Sequence, residues 1–261
     1  PGSMERPAHY RSDTDSIDIV LHVANFYGRR GGIQHAIVFG SEGVLFRKRE
    51  FSMFVGVFIF GTLFIMGLYH LGLYFFRRED TSPLYFNIVC FFLALYTFLQ
   101  IGDIPFINPR SVPQMGIEWR TRLASLASFL TIPFFSMFIT SLYPREFARI
   151  PLRLMQLVGF LFAGAVIFLP FESLYLASHV FYIFTIAAGV YVLYVLATAF
   201  RRKREGATVF LIGYSVLLAA GIADGLNIGR SIQLVPTALS IFIVTQVLFM
   251  SYRFSNAFRT M

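Results

Sequence analysis

The chain has 261 residues, of which 56% are hydrophobic and only 14% charged, and its mean hydropathy is +0.66. Soluble domains carry about a quarter charged residues, so this composition excludes an ordinary soluble domain and indicates a membrane protein in a lipid bilayer. The net charge of +8 comes largely from basic residues in short connections between apolar runs. That placement is typical of membrane proteins and argues against nucleic-acid binding.

The N-terminal segment is polar and has a strand-like pattern. Residues 1–3 look like a tag remnant, which we expect to take no part in the fold. Residues 17–46 are predicted to form strands, with alternating apolar residues over Ile17–Val23 and a second short strand over His35–Phe39. We therefore predict an extracytoplasmic β segment over residues 4–50. So few strands bury no core of their own, so the segment resembles the tail of a larger β domain. We predict that it is either paired with a second copy in a homodimer, by strand exchange, or disordered.

Seven apolar runs follow, and the first of them sets the pattern. Residues 51–76 contain no acidic or basic residue apart from His70. At about 1.5 Å per residue, this run is long enough to cross a hydrocarbon core of about 30 Å. The six further runs lie at 84–104, 119–143, 152–170, 178–200, 208–226 and 235–257. The sequence therefore predicts an all-α membrane protein, with a seven-transmembrane helix bundle over residues 51–258.

The basic residues between the runs are distributed unequally. One side carries most of them: Arg77, Arg78, Arg145, Arg149, Arg153, Arg201, Arg202, Lys203, Arg204, Arg253 and Arg259. The other side carries Arg110, Arg120, Arg122 and Arg230. Because cytoplasmic loops are enriched in basic residues, this bias predicts an N-terminus outside and a C-terminus inside. Arg47–Arg49 is an exception that a leader-directed outer domain tolerates.

The sequence lacks a recognisable catalytic pattern. Lys48 and Lys203 both fall outside the apolar runs, so a retinal Schiff base has no lysine within them. Asp80, Asp103 and Asp224 fall at the ends of runs, and HExxH is absent, so intramembrane proteolysis is not supported. We therefore expect no enzymatic activity, no metal site and no cofactor.

His70 is the one titratable group well inside the first run. A histidine titrates near neutral pH, so His70 is a candidate protonation switch. A hydrogen bond to a neighbouring helix is the more ordinary role and the favoured interpretation.

Glycines recur near the end of the sixth run. Gly221, Gly225 and Gly229 form two overlapping GxxxG patterns. Such patterns let two helices approach closely, and we favour close packing over a flexible hinge.

Charges at the outer ends of the predicted helices oppose the dipole of their own helix. Asp103 and Asp224 stand at negative C-terminal ends, and Arg120 and Arg122 at a positive N-terminal end. We hypothesise that these four residues, with Arg230 nearby, form a polar cluster that binds a ligand or couples the outer domain to the helices. The alternative is that each charge reaches lipid headgroups or water.

Short motifs lie before, within and after the first predicted helix. They comprise His22–Phe26, Gly31–Gly32 and Gly40 before the helix, Gly67–Tyr74 with Arg77–Arg78 at its inner end, and Tyr85–Phe86 opening the second helix. With seven apolar runs, this arrangement resembles the bacterial seven-transmembrane receptors with diverse intracellular signalling modules (7TMR-DISM family).

The resemblance implies a sensory receptor of the bacterial cytoplasmic (inner) membrane. In that family a jelly-roll outer domain is suspected of binding carbohydrate, and the C-terminus leads into a cytoplasmic signalling module. Residues 4–50 would then be the last strands of a jelly roll. We expect the natural chain to continue on both sides, with its ligand-binding part and its effector outside this sequence. A small-solute transporter and a membrane scaffold are the alternative functions.

Overall fold

The computed structural model describes residues 40–100, 117–226 and 234–259. These residues form seven helices: α1 (Glu42–Phe76), α2 (Ser82–Gln100), α3 (Ile117–Leu142), α4 (Arg149–Phe168), α5 (Phe171–Arg201), α6 (Ala207–Gly225) and α7 (Leu234–Arg259). Within the described residues, each predicted apolar run therefore overlaps one helix. We call the end at which α1, α3 and α5 terminate the inner end, and the opposite end the outer end.

Six of the helices, α1 to α6, are long and apolar enough to cross a membrane, by length and composition within the described residues. The apolar part of α7 found there is the shorter stretch Thr237–Val247, inside a helix that runs on to Arg259. The chain is thus an all-helical membrane protein in the part that the structure describes. The seventh crossing and the orientation stay predictions.

The first helix begins earlier than its apolar run. Residues 42–50 are helical, so they belong to α1 and not to the β segment that was predicted over residues 4–50. The hydropathy pattern shows where a helix becomes apolar, whereas five of the nine residues of this first stretch are Glu, Arg or Lys, which favour helices without being apolar. Arg47 donates from Nε to the carbonyl oxygen of Gly43 at 3.2 Å, one turn earlier. The strands predicted within residues 17–39 lie outside the described residues.

Neighbouring helices in the sequence pack against each other, and α7 returns to contact α1 as well as α6. Aromatic rings join the helices across the interior, with His70 of α1 at one end. Its ring centroid lies 4.5 Å from that of Phe86, which is 4.8 Å from Phe138. Phe138 is 5.9 Å from Phe210, and Phe210 is 5.7 Å from Phe242 of α7. One row of rings therefore connects α1, α2, α3, α6 and α7.

The outside of the bundle is strongly apolar. Phe76, Ile150 and Phe168 are 93%, 81% and 85% exposed, and many other large apolar side chains also face outward. A soluble monomer rarely exposes apolar surface on this scale. The surface fits a lipid bilayer, which is the partner that the composition predicts.

Candidate functional site

The start of α7 is held by a side chain from the end of α6. The backbone N–H of Leu234 donates to Oδ1 of Asp224 at 3.0 Å, and that of Val235 donates to Oδ2 at 2.8 Å. The first N–H groups of a helix have no partner within the helix, and its N-terminal end favours negative charge. The carboxylate that is badly placed for α6 is therefore well placed for α7.

Arg122 makes the reverse arrangement between α3 and α4. Its guanidinium donates to the carbonyl oxygens of Val166 and Leu169 at the C-terminal end of α4, the latter at 3.0 Å. It also pairs with Glu118, one turn earlier on α3, at 2.9 Å. The last carbonyls of a helix lack intrahelical donors and favour positive charge. Arg122 is thus badly placed for α3 and well placed for α4.

The structure describes three of the five residues of the hypothesised cluster. Among the described residues, Arg122 and Asp224 are bonded to separate helix ends, and Arg120 is exposed at the start of α3. Asp103 and Arg230 lie outside the described residues. Arg122 and Asp224 each bond to backbone groups at the end of another helix, and not to the opposite charges that were hypothesised as their partners. The cluster of all five charges stays a prediction.

A double-mutant cycle measures whether the two described members are coupled. We expect Arg122→Gln and Asp224→Asn each to lower thermal stability in detergent, because each weakens a link between two helices. Arg122→Gln removes the guanidinium, and Asp224→Asn removes one of the two acceptor oxygens and the negative charge. Their losses should add within about 0.5 kcal/mol, because the two side chains bind different helix pairs. A coupling free energy above about 1 kcal/mol would instead support the cluster.

Next to Asp224, the glycines of α6 receive a tyrosine from α5. The hydroxyl of Tyr182 donates to the carbonyl oxygen of Gly221 at 2.7 Å. A Cβ atom at Gly225 would collide with the same hydroxyl, whereas one at Gly221 would meet nothing within 4 Å. The predicted close packing is present at Gly225, where the absent side chain admits a tyrosine ring. Gly229 lies outside the described residues.

His70 is 1% exposed and lies in the interior of the bundle. Its described hydrogen bond joins Nδ1 to the carbonyl oxygen of Met66 at 2.8 Å, within α1. This bond stays within α1, because a histidine on a helix can reach the carbonyl one turn earlier. The favoured interpretation of a hydrogen bond to a neighbouring helix stays a prediction. Contact with α2 comes from its ring, packed on Phe86. A role as a switch stays a hypothesis.

The family model of the 7TM diverse intracellular signalling domain matches residues 52–256, which include nearly all of the seven helices. The chain belongs to this family. The match confirms the resemblance drawn from the motifs around α1. Searches of curated proteins and of solved structures gave no match. Membership of this family indicates a membrane receptor that acts in signalling. It does not identify the ligand or the effector.

At the inner end of this 7TM signalling domain, two turns are joined by a buried carboxylate. The side chain of Glu146, in the turn between α3 and α4, is 1% exposed. Its Oε1 accepts from Nε of Arg204 at 2.9 Å and from Arg202 at 3.5 Å, both in the turn between α5 and α6. We call this contact the Glu146 ion pair. From the sequence, the turn between α3 and α4 was considered only for its basic residues, and Glu146 was missed.

A second set of contacts reinforces the junction between the two turns. The backbone N–H of Ala148 donates to the hydroxyl of Tyr191 at 3.1 Å. The ring of Phe147 lies 5.2 Å from the ring of Tyr191, edge to face. The hydroxyl of Tyr143 approaches the carbonyl oxygen of Glu205 at 3.4 Å. In this 7TM signalling domain the inner ends of α3, α4, α5 and α6 are thus one connected unit.

Proposed function

We propose that the chain is the transmembrane module of a sensory receptor, which relays an extracellular event through α7 to a cytoplasmic effector. The observation that carries the proposal is the bond between Asp224 and the first turn of α7. It couples the outer end of the helix that leads toward the C-terminus to the end of α6. Membership of a signalling family supports the same function.

Two features make α7 suited to carry a signal. It is continuous from Leu234 to Arg259, so a displacement at its outer end is transmitted along a rigid element. It also packs closely on α6, because a Cβ atom at Gly213 would collide with Thr245. Switching proteins commonly use small shifts of one helix against its neighbours, by about 1–2 Å. Rearrangement of the Asp224 bonds would bias such a shift.

We also propose how the chain is oriented in the membrane and which partners it has. The N-terminus lies outside and the C-terminus in the cytoplasm of a bacterium, across its inner membrane. An outer jelly-roll domain binds the ligand, for which carbohydrate is the proposed class, and a signalling module follows α7. Two copies associate through the β segment. The chain contributes no enzymatic activity of its own.

Distance measurement between spin labels tests the relay. Labels at positions 255 of α7 and 203 of the turn after α5 report the position of the inner end of α7. Cys90 is 1% exposed, so it does not compete for the label. Asp224→Ala removes both bonds to α7 and should shift or broaden the distance distribution by about 2 Å.

His179→Gln is the matched control, because His179 is an exposed polar side chain in the outer half of α5 and its hydrogen bond stays within that helix. We expect the control to leave the distances unchanged. A distribution that Asp224→Ala also leaves unchanged would contradict a relay through this contact. Solute uptake by the reconstituted protein would favour the transporter instead.

A further inference from the structure

Exposed basic side chains surround the two turns that the Glu146 ion pair joins. They come from the turn after α3, the first two turns of α4, and the end of α5 with the turn that follows. They are Arg145, Arg149, Arg153, Arg201, Arg202 and Lys203, which we call the basic surface.

Direct contacts between the two turns make the basic surface continuous. The 2.9 Å bond between Glu146 and Arg204 holds the turns together. The bond from Ala148 to the Tyr191 hydroxyl fixes the start of α4 against α5. Residues far apart in the sequence therefore present their charge on one face of the inner end.

Little negative charge offsets this surface. The carboxylate of Glu146 is buried and engaged with Arg204 and Arg202, which leaves Glu205 as the exposed carboxylate within these two turns. The turn between α1 and α2 differs, because Arg77 and Arg78 are followed directly by Glu79 and Asp80. That turn has no net charge and serves as an internal reference.

The basic surface adjoins apolar surface on α4. Ile150, Leu154 and Leu157 are 81%, 53% and 66% exposed and follow Arg149 and Arg153 along the helix. Exposed apolar residues of a membrane protein contact lipid tails, and arginine side chains near a helix end extend toward the headgroups. The guanidinium groups thus lie at headgroup depth, where an acidic protein would have less access than a lipid.

We propose that the basic surface binds the headgroups of anionic phospholipids. Guanidinium groups pair with phosphate oxygens through charge-assisted hydrogen bonds, and the planar fork of arginine matches phosphate geometry. Several such groups around one junction would select an anionic lipid over a zwitterionic one. The lipid would bind across α4 and α5, so it would brace the unit that the Glu146 ion pair forms.

Native mass spectrometry of the full chain in detergent tests the proposal, with phosphatidylglycerol as the probe and phosphatidylcholine as the zwitterionic reference. We expect phosphatidylglycerol to bind more tightly. Each basic residue near a membrane surface contributes about 1 kcal/mol toward anionic lipid, which is roughly five-fold in Kd. The double variant Arg149→Gln/Arg153→Gln should therefore bind phosphatidylglycerol about 25-fold more weakly.

The double variant Arg77→Gln/Arg78→Gln removes the same charge from the neutral turn, and we expect it to change the Kd by less than about five-fold. Glycerol phosphate, which has the headgroup chemistry without the tails, should bind far more weakly than the lipid. Equal Kd values for the two lipids, equal weakening by the two double variants, or equal binding of glycerol phosphate would each overturn the proposal.

Discussion

Replacing Arg204 by leucine should lower the free energy of unfolding by about 2–3 kcal/mol, because it leaves a buried carboxylate without its main partner. The side chain of Glu146 is 1% exposed, whereas that of Arg204 is 38% exposed. The charge that remains after the substitution is thus the buried one. Breaking a fully buried ion pair commonly costs about 3–5 kcal/mol, and the partial exposure of Arg204 reduces that figure here. Thermal unfolding of the purified protein in detergent measures the loss.

Arg202→Leu is the natural control for this effect. Arg202 reaches the same carboxylate at 3.5 Å with a side chain that is 56% exposed, and exposed ion pairs contribute about 0–1 kcal/mol. The double variant Glu146→Leu/Arg204→Leu removes both charges and should recover part of the loss. Equal effects of the two arginine substitutions would contradict the assignment of Arg204 as the main partner.

A methyl group added at Gly159 should also destabilise the bundle strongly. Its Cβ atom would lie 2.5 Å from Cδ of Pro133 and 3.2 Å from the carbonyl oxygen of Phe129, both on α3. Neither the proline ring nor the backbone moves aside easily, so α3 and α4 would have to separate. Overpacking of this kind costs about 1–3 kcal/mol, and we expect Gly159→Ala to fall in that range in the same unfolding experiment.

Gly164→Ala provides a matched comparison on the same helix, because a Cβ atom there would meet nothing within 4 Å. Alanine is the better helix former by about 1 kcal/mol, so this variant should be neutral or slightly stabilising. If both variants unfolded at the same temperature, close packing of Pro133 on Gly159 would not be what holds α3 and α4 together.

Hydropathy predicted the helices of this protein well. In a bilayer core there is no water to pair with backbone N–H and C=O groups, so these groups must form hydrogen bonds with each other. A single apolar run that crosses the bilayer can satisfy this requirement by forming a helix. The first run was predicted to end at residue 76, where α1 ends. The start of α1 was missed, because residues 42–50 are helical outside the apolar run and hydropathy carries no signal for them.

The placement of charged residues predicted less of the structure than hydropathy did. The helix dipole showed that Arg122 and Asp224 oppose their own helices and need compensation from elsewhere. Their actual partners, the carbonyls of Leu169 and the N–H of Val235, are backbone groups that exist at every helix end. A sequence cannot show which helix ends become neighbours, so the hypothesis considered only side-chain charges, lipid headgroups and water as partners.

Composition, run length and motifs are local properties, so they were sufficient to predict a helical membrane protein of the 7TM diverse intracellular signalling family. The contacts of Glu146 between two turns, of Tyr182 in the space left by Gly225, and of Asp224 at the start of α7 became apparent from the packed helices. Each of these contacts joins residues from different helices or from different turns. The positions of such residues depend on how whole helices pack, and packing between apolar surfaces in lipid is governed by shape, which hydropathy does not encode.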